Sequence, residues 1–286
     1  MGRSVVLGFF DGVHTGHRAV ISSAMRCSKN DDIVLVTLKN SPSLYFNGAF
    51  EYIFPRYKSY EKIKSLGVSE IVELEFGEVV SMSAVEYIEF LLKNFSPKYI
   101  VSGFNHTFGA NKSGTPELLK LKECEYGYKY ICVQPVFAGG EAVSSTRIKQ
   151  YLSEGDIEKA NILLESCFEL EGNVIHGEKI GRTIGFPTAN ISYPKNIVKI
   201  PYGVYAAECD VDGKAMRAVL NWGMKPTVNN TAEPVIEVHI LGFNGDLYDK
   251  NINVKLLKRI RSENKFSSLD ELKTQIKKDA ELCLKL

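Results

Sequence analysis

The 286-residue chain has no C-x-x-C pair and no G-x-x-x-x-G-K-[ST] loop, and none of its apolar runs approaches the ~18–20 residues that span a bilayer. A membrane protein and an ordinary P-loop kinase are therefore not expected. The N-terminus lacks a basic stretch followed by an apolar one, so no secretory leader is expected, and Val6 stands where myristoylation after Gly2 would want a hydroxyl. Net charge is almost absent as well: 35 basic and 34 acidic residues leave +1. A general nucleic-acid binder normally carries a basic excess, so a small ligand in a pocket is expected instead. The six cysteines (27, 124, 132, 167, 209 and 283) are scattered, with no histidine at zinc-ligand spacing, which suits a reduced cytoplasm.

With 44% hydrophobic and 24% charged residues and 23 Gly and 10 Pro, the composition is globular, and the length fits one large or two modest domains. The first half alternates β-branched runs with stretches of helical period, the pattern of a parallel sheet flanked by helices. Strands are read at Ser4–Gly8, Asp32–Leu38, Glu70–Leu74, Lys98–Ser102 and Lys129–Pro135. Helices are read at His14–Cys27, Arg56–Leu66, Ser83–Asn94 and Pro116–Glu123, then from Ser144 to Leu164 with a break at Gly155. After Ser166 come short strands at 172–176, 203–209, 215–221, 235–241 and 251–257, spaced as in an antiparallel barrel. A last helix follows Ser268 and Glu271, a capping-box spacing, with Leu269, Leu272, Ile276 and Ala280 on its apolar side.

Two constellations carry chemistry. In Gly8-Phe9-Phe10-Asp11-Gly12-Val13-His14-Thr15-Gly16-His17, two glycines allow a tight turn where a strand passes into a helix, the place where open α/β sheets bind nucleotides. The helix N-terminus favours phosphate, and His14 and His17, three apart, project to one side to stabilise charge on it. A bare H-x-x-H also suits a surface pair or a metal site. Asn105, in Gly103-Phe104-Asn105-His106-Thr107-Phe108-Gly109, offers an amide to phosphate or ribose. Ser144, Ser145 and Thr146 read either as an N-cap or as a phosphate seat.

The second constellation is Gly172-Asn173-Val174-Ile175-His176-Gly177 leading into Gly181-Arg182-Thr183-Ile184-Gly185-Phe186-Pro187-Thr188-Ala189-Asn190. Its glycines let backbone approach a ligand, and Thr188 and Asn190, two apart, present oxygens suited to Mg²⁺; a loop satisfying its own backbone is the plainer alternative. Glu237 interrupts the apolar strand 235–241 and projects opposite Ile236 and Val238, as a general base near a hydroxyl or as an outward strand residue.

These strings resemble the bacterial bifunctional riboflavin kinase/FAD synthetases, and the resemblance covers nearly the whole chain. The N-terminal half is similar to the H-x-G-H nucleotidylyltransferases, the Ser144–Lys149 segment to the family's S-S-T-x-I-R, and Gly185–Asn190 to the riboflavin kinase signature. The resemblance implies a Rossmann-like FMN adenylyltransferase domain over 1–166 and an antiparallel β-barrel riboflavin kinase domain over 167–286. The first would bind ATP through Gly8, Phe10, Asp11, Gly12, His14, His17, Asn105, Ser144, Ser145, Thr146 and Lys149. The second would bind Mg-ATP through Gly177, Gly181, Arg182, Gly185, Pro187, Thr188 and Asn190, with Thr188 and Asn190 on the metal, Glu237 as base, and Arg261 and Phe266 closing over flavin. Riboflavin, FMN, FAD and ATP are the implied ligands, and the oligomeric state stays open. Further family pieces are Gly203-Val204-Tyr205, Asn221-x-Gly223-x-x-Pro226-Thr227 and Asp246-Leu247-Tyr248.

The chain departs from the pattern at His106 (usually Phe), Lys149 (Arg), Lys225 (Arg), Val228 (Phe) and Asp249 (Gly). The largest departure is Thr37-Leu38-Lys39-Asn40-Ser41-Pro42, which stands in place of T-F-D-P-H-P. That last difference opens a reading as a kinase with weak FAD synthesis. A flavin-binding regulator without turnover is a third reading, disfavoured by the intact H-x-G-H and Glu237.

Overall fold

The computed structural model describes residues 3–28, 32–176, 181, 184–225 and 233–286. The chain forms two compact units, Met1–Ser145 and Thr146–Leu286.

The first unit is built on five parallel strands, β1 (Arg3–Leu7), β2 (Asp32–Leu38), β3 (Glu70–Leu74), β4 (Pro97–Gly103) and β5 (Lys129–Val133), in the order β3-β2-β1-β4-β5. Their near-continuous apolar runs follow from burial on both faces. Val5, Leu7, Val34, Val36 and Ile100 pack on one face with Ile88 and Leu91 of α5 (Ala84–Phe95). Val6, Leu35 and Val101 pack on the other with Ile21 and Ala24 of α1 (Thr15–Cys27) and Ile63 of α3 (Arg56–Ser65). Ser83 starts α5 with a complete capping box: its hydroxyl accepts from Glu86 N, and the Glu86 carboxylate accepts from Ser83 N at 2.7 Å.

The long elements of this unit lie within a residue or two of their expected spans, whereas the barrel strands expected at 172–176, 215–221 and 251–257 each extend about four residues further at one end. The structure adds α2 (Pro42–Asn47), α4 (Phe76–Val79), α7 (Glu123–Tyr126, after α6, Pro116–Leu121) and a two-stranded ribbon, β6 (Phe137–Ala138) with β7 (Glu141–Ala142). These are too short to express a hydrophobic period. Capping defines α2 instead: the Ser41 hydroxyl accepts from Ser43 N, and Pro42 occupies the first turn.

The second unit opens with α8 (Ser145–Glu154, whose first residue belongs to the first unit) and α9 (Ile157–Leu164). Asn161 ties α9 to the barrel by donating to Leu256 O at 2.9 Å and accepting from Phe168 N at 2.7 Å. The barrel is closed and antiparallel, in the order β10 (Gly203–Val211), β11 (Lys214–Lys225), β12 (Glu233–Ile240), β9 (Ala189–Ile191), β8 (Phe168–Ile175), β13 (Asn251–Arg261). Tyr205, Ala207, Leu220, Ile236, Val238 and Val254, each at most 1% exposed, fill its interior. The alternate residues Val204, Ala206 and Val219 face outward and meet Cys283 of the terminal helix, Leu269–Leu284.

That helix begins at Ser268, whose hydroxyl accepts from Glu271 N, while Glu271 reaches back to Ser267 N at 2.8 Å instead of Ser268 N. Leu269, expected on the apolar side, is exposed; Leu272 and Ile276 face a cavity and Ala280 packs on the barrel. The helix is held by Arg261, which grips the buried Asp279 carboxylate through Nε and Nη2, the shortest contact being 2.8 Å. Breaking such a pair leaves an uncompensated charge in the interior. Asp279→Ala is expected to destabilise the barrel unit by about 3–5 kcal/mol in urea unfolding followed at Trp222, the only tryptophan. A loss under about 1 kcal/mol would mean the pair contributes little.

Candidate active sites

Beyond β1 the chain turns through Phe10 (φ 53°), Gly12 (φ 85°) and Val13 (φ 48°), all in the left-handed region. A β-branched residue there is a strained conformation that surrounding contacts must impose. Asp11 supplies two of them: its Oδ1 accepts from Ile53 N at 2.9 Å, and its carbonyl accepts from the Ser145 hydroxyl at 2.9 Å. Phe10, 1% exposed, lies with its ring centroid 5.0 Å from that of His17. Phe10 and Asp11 thus shape the turn from inside, and a Cβ on Gly12 would meet Ile53 Cδ1 at 2.7 Å.

His14 caps α1. Its Nδ1 accepts from His17 N at 3.4 Å, so its proton sits on Nε2, and the two imidazoles stack at 3.7 Å. Gly16 makes the stack possible, because a Cβ there would lie 3.1 Å from the His14 ring. Burial pushes His14 down to about 4, and burial followed by the neighbouring His14 holds His17 well below its usual range. Both rings are therefore neutral near pH 7, each with a single N–H to donate.

The strands β1 and β4 are neighbours, so the turn Gly8–His14 and the exposed Asn105, just past β4, rise from the same sheet edge. Ser145, at the start of α8, joins that edge through Asp11. Ser144 is exposed beside it, and Thr146 and Lys149 continue α8 into the second unit. His106 is half-buried, stacks on Phe108 with centroids 5.7 Å apart and is pushed down to about 4 by burial. Arg56 was not singled out from the sequence. Its guanidinium donates to Phe9 O at 3.2 Å and Leu38 O at 2.7 Å and lies over the Phe9 ring at 5.0 Å, joining the turn to the end of β2. An arginine after a proline at a helix start carries no pattern that would reveal this long-range contact. In the altered segment, Thr37 is buried against Phe9 O, and Lys39 pairs with Glu75.

In the second unit, Glu237 lies on a cavity of about 590 Å³ between the barrel wall and the terminal helix, lined also by Thr188, Asn221, Gly223, Arg261 and Phe266. A smaller cavity of about 210 Å³ is lined by Val174, Pro187, Thr188 and the segment Phe243–Tyr248. Thr188 borders both. Asn190 stands directly opposite Glu237 in the β9–β12 register, and its Oδ1 is buried with no hydrogen-bond partner among the described residues. An orphaned oxygen next to a carboxylate and a threonine is a hard-oxygen set of the kind Mg²⁺ takes.

Gly181 lines the larger cavity and is closed on by the Phe186 carbonyl, which leaves no room for a Cβ, and Gly185 has φ 89°. Pro187 O lies 2.8 Å from His239 Nδ1. Gly177 and Arg182, expected on ATP, and Pro226, Thr227 and Val228 lie outside the described residues. Arg261 reaches the cavity with its charge already balanced by Asp279 and its guanidinium 5.6 Å from the Phe266 ring centroid. Glu263, which the resemblance gives no role, has its carboxylate in the space a side chain at Gly223 would need.

The imidazole pair has a pH signature. Unfolded histidines bind protons near 6.5, whereas folded His14 binds them near 4 and folded His17 well below the usual range. The unfolded state thus gains protons first, and stability of the first unit falls as pH drops from 6.5 toward 4. Its melting midpoint is expected to be lower at pH 5 than at pH 7, with a smaller difference in a His14→Asn/His17→Asn variant. Equal midpoints at the two pH values would contradict a buried, neutral pair.

Comparison with known proteins matches the FAD synthetase family model to residues 1–147 and the riboflavin kinase model to residues 164–286. The bifunctional riboflavin kinase/FMN adenylyltransferase of Bacillus subtilis (strain 168) is 35% identical over 285 residues, spanning 96% of this chain and 89% of that protein. Its namesake from Escherichia coli (strain K12) is 34% identical over 287 residues, spanning 97% and 90%. A crystal structure described as a macrolide-efflux protein from Streptococcus pneumoniae superposes with a TM-score of 0.91 at 34% identity, over 100% of this chain and 94% of that one. Among the described residues, no helix of this chain is long and apolar enough to cross a membrane. Two family models, one per half, together with full-length relatives carrying both names, place this chain in the bifunctional riboflavin kinase/FMN adenylyltransferase family.

Proposed function

We propose that the chain converts riboflavin to FMN in its barrel and FMN to FAD in its α/β unit, using ATP in both steps. The observation that carries the kinase half is the pair of cavities meeting at Thr188, with Glu237 in the larger: a two-substrate transfer needs adjoining seats and a base between them. We assign residues 1–166 to adenylyl transfer and 167–286 to the kinase, the second beginning where β8 enters the barrel. The six free cysteines suit a cytoplasmic enzyme.

In the kinase, flavin takes the larger cavity and ATP the smaller, with Gly185 and Pro187 around the nucleotide; Gly181, expected on ATP, lines the larger cavity. Glu237 takes the proton of the ribityl 5′-hydroxyl as its oxygen bonds to the γ-phosphorus; the bond from that phosphorus to the β-γ bridging oxygen breaks, and ADP leaves. Thr188 and Asn190 would hold Mg²⁺, which neutralises phosphate charge when bound. Phe266 closes over the flavin, and Arg261 holds that closure to the terminal helix.

In the α/β unit, an FMN phosphate oxygen attacks the ATP α-phosphorus and pyrophosphate leaves, so no covalent enzyme intermediate is needed. His14 donates its Nε2 proton to the oxygens gaining charge, and His17 supports it from the stack. Asn105, Ser144 and Ser145 complete the phosphate seat at the end of the strained turn.

Purified protein given riboflavin and Mg-ATP, with flavins resolved over time, tests both halves. FMN followed by FAD is expected; FMN alone would reduce the chain to a kinase, and neither product would leave a flavin binder. His17→Ala should lower FAD formation at least about 100-fold while sparing FMN, and Glu237→Ala the reverse when FMN is supplied directly. Unchanged FAD formation by His17→Ala would remove the imidazole pair from the reaction.

A further inference from the structure

The kinase reading leaves Asn221, a polar residue of the larger cavity, without a task. Asn221 on β11 stands directly opposite Glu237 on β12, and Glu237 directly opposite Asn190 on β9, so the three form one row across adjacent strands. Directly opposed residues of antiparallel strands present their side chains to the same face, with Cβ atoms about 4.5–5.5 Å apart. A carboxylate is thus flanked on both sides by a neutral amide.

The two amides differ in their surroundings. Asn190 is two residues from Thr188, which borders both cavities, whereas Asn221 lines only the larger one. The wall around Asn221 includes Val204, Val219, Val235 and Ile276, with the Glu263 carboxylate over Gly223 two residues along β11. Among the described residues, no hydrogen bond engages the side chain of Asn221 or of Glu237. An amide offers donors and an acceptor without adding charge beside the base, which matches a hydroxyl of a polyol chain. Occupying this cavity without bonding the amide would carry the desolvation penalty of a buried unsatisfied group, so Asn221 favours a polyhydroxylated acceptor.

We propose that Asn221 is a substrate-binding residue of the kinase reaction, holding the hydroxylated chain of the acceptor so that its terminal hydroxyl faces Glu237. This rests on the kinase reading above. Its test is steady-state kinetics on the full chain with Asn221→Ala and Asn221→Asp. For the alanine variant, kcat/KM for riboflavin is expected to fall about tenfold or more, while KM for ATP and the rate of FMN adenylylation stay within about twofold.

Asn221→Asp is nearly isosteric and puts a second carboxylate opposite Glu237. It keeps the shape but loses the amide's donor hydrogens, and is expected to lower kcat/KM for riboflavin about tenfold or more with KM for ATP within about twofold; loss of packing alone would not do this. An alanine variant within twofold of the parent for riboflavin, or equal rises in the KM of both substrates, would overturn the proposal. So would an Asn221→Asp variant within twofold of the parent for riboflavin, which keeps the test decisive if the alanine variant fails to fold. A parent protein that binds flavin but forms no FMN would overturn the kinase reading itself.

Discussion

The pairing of a three-residue strand organises the kinase half. Ala189–Ile191 bonds to β12 on one side and to β8 on the other and thereby closes the barrel. Ala189 and Ile191 point into the interior beside Val238 and Ile236, so Asn190 must face away from it, toward Glu237. Strand side chains alternate with a period of two, so a slip of one residue would bury the asparagine and put alanine opposite the carboxylate. The positions of Thr188 and Asn190 are therefore consequences of barrel closure, and the orphaned Asn190 oxygen is the local cost of that arrangement.

The α/β unit meets a different constraint. Its turn holds Phe10 and Val13 at positive φ, conformations costing of order 1–3 kcal/mol each. The bonds from Ile53 N and Ser145 to Asp11, and from Arg56 to Phe9, come from three separate segments and hold the strained shape. The result is a stacked imidazole pair with a defined tautomer at a helix N-terminus. Both units follow one logic: hydrophobic packing sets the backbone, and the backbone leaves polar groups facing ligand space.

Much of this was legible in the sequence, because period and motif report on local geometry. Strands β2 and β3 follow directly from their β-branched runs, and the spacing of His14 and His17 implies one side of a helix start. The outward face of Glu237 follows from Ile236 and Val238 on either side. What escaped was long-range or short: Arg56 reaching Phe9, Glu263 settling over Gly223, and α2, built by a cap and a proline. The task of Asp11 also escaped, since its partner Ile53 is brought near only by the fold. Register likewise cannot be read from one strand, and register is what sets Asn221 and Asn190 on either side of Glu237.

The central claim is that the Asn190–Glu237–Asn221 row is where the barrel unit performs phosphoryl transfer. Its most direct test is a crystal structure with Mg²⁺, a non-hydrolysable ATP analogue and riboflavin. The account predicts a cation on the oxygens of Thr188 and Asn190, and the ribityl terminus between Glu237 and Asn221. Well-defined flavin and nucleotide elsewhere in the barrel unit, with Asn190 Oδ1 still unpartnered, would contradict it.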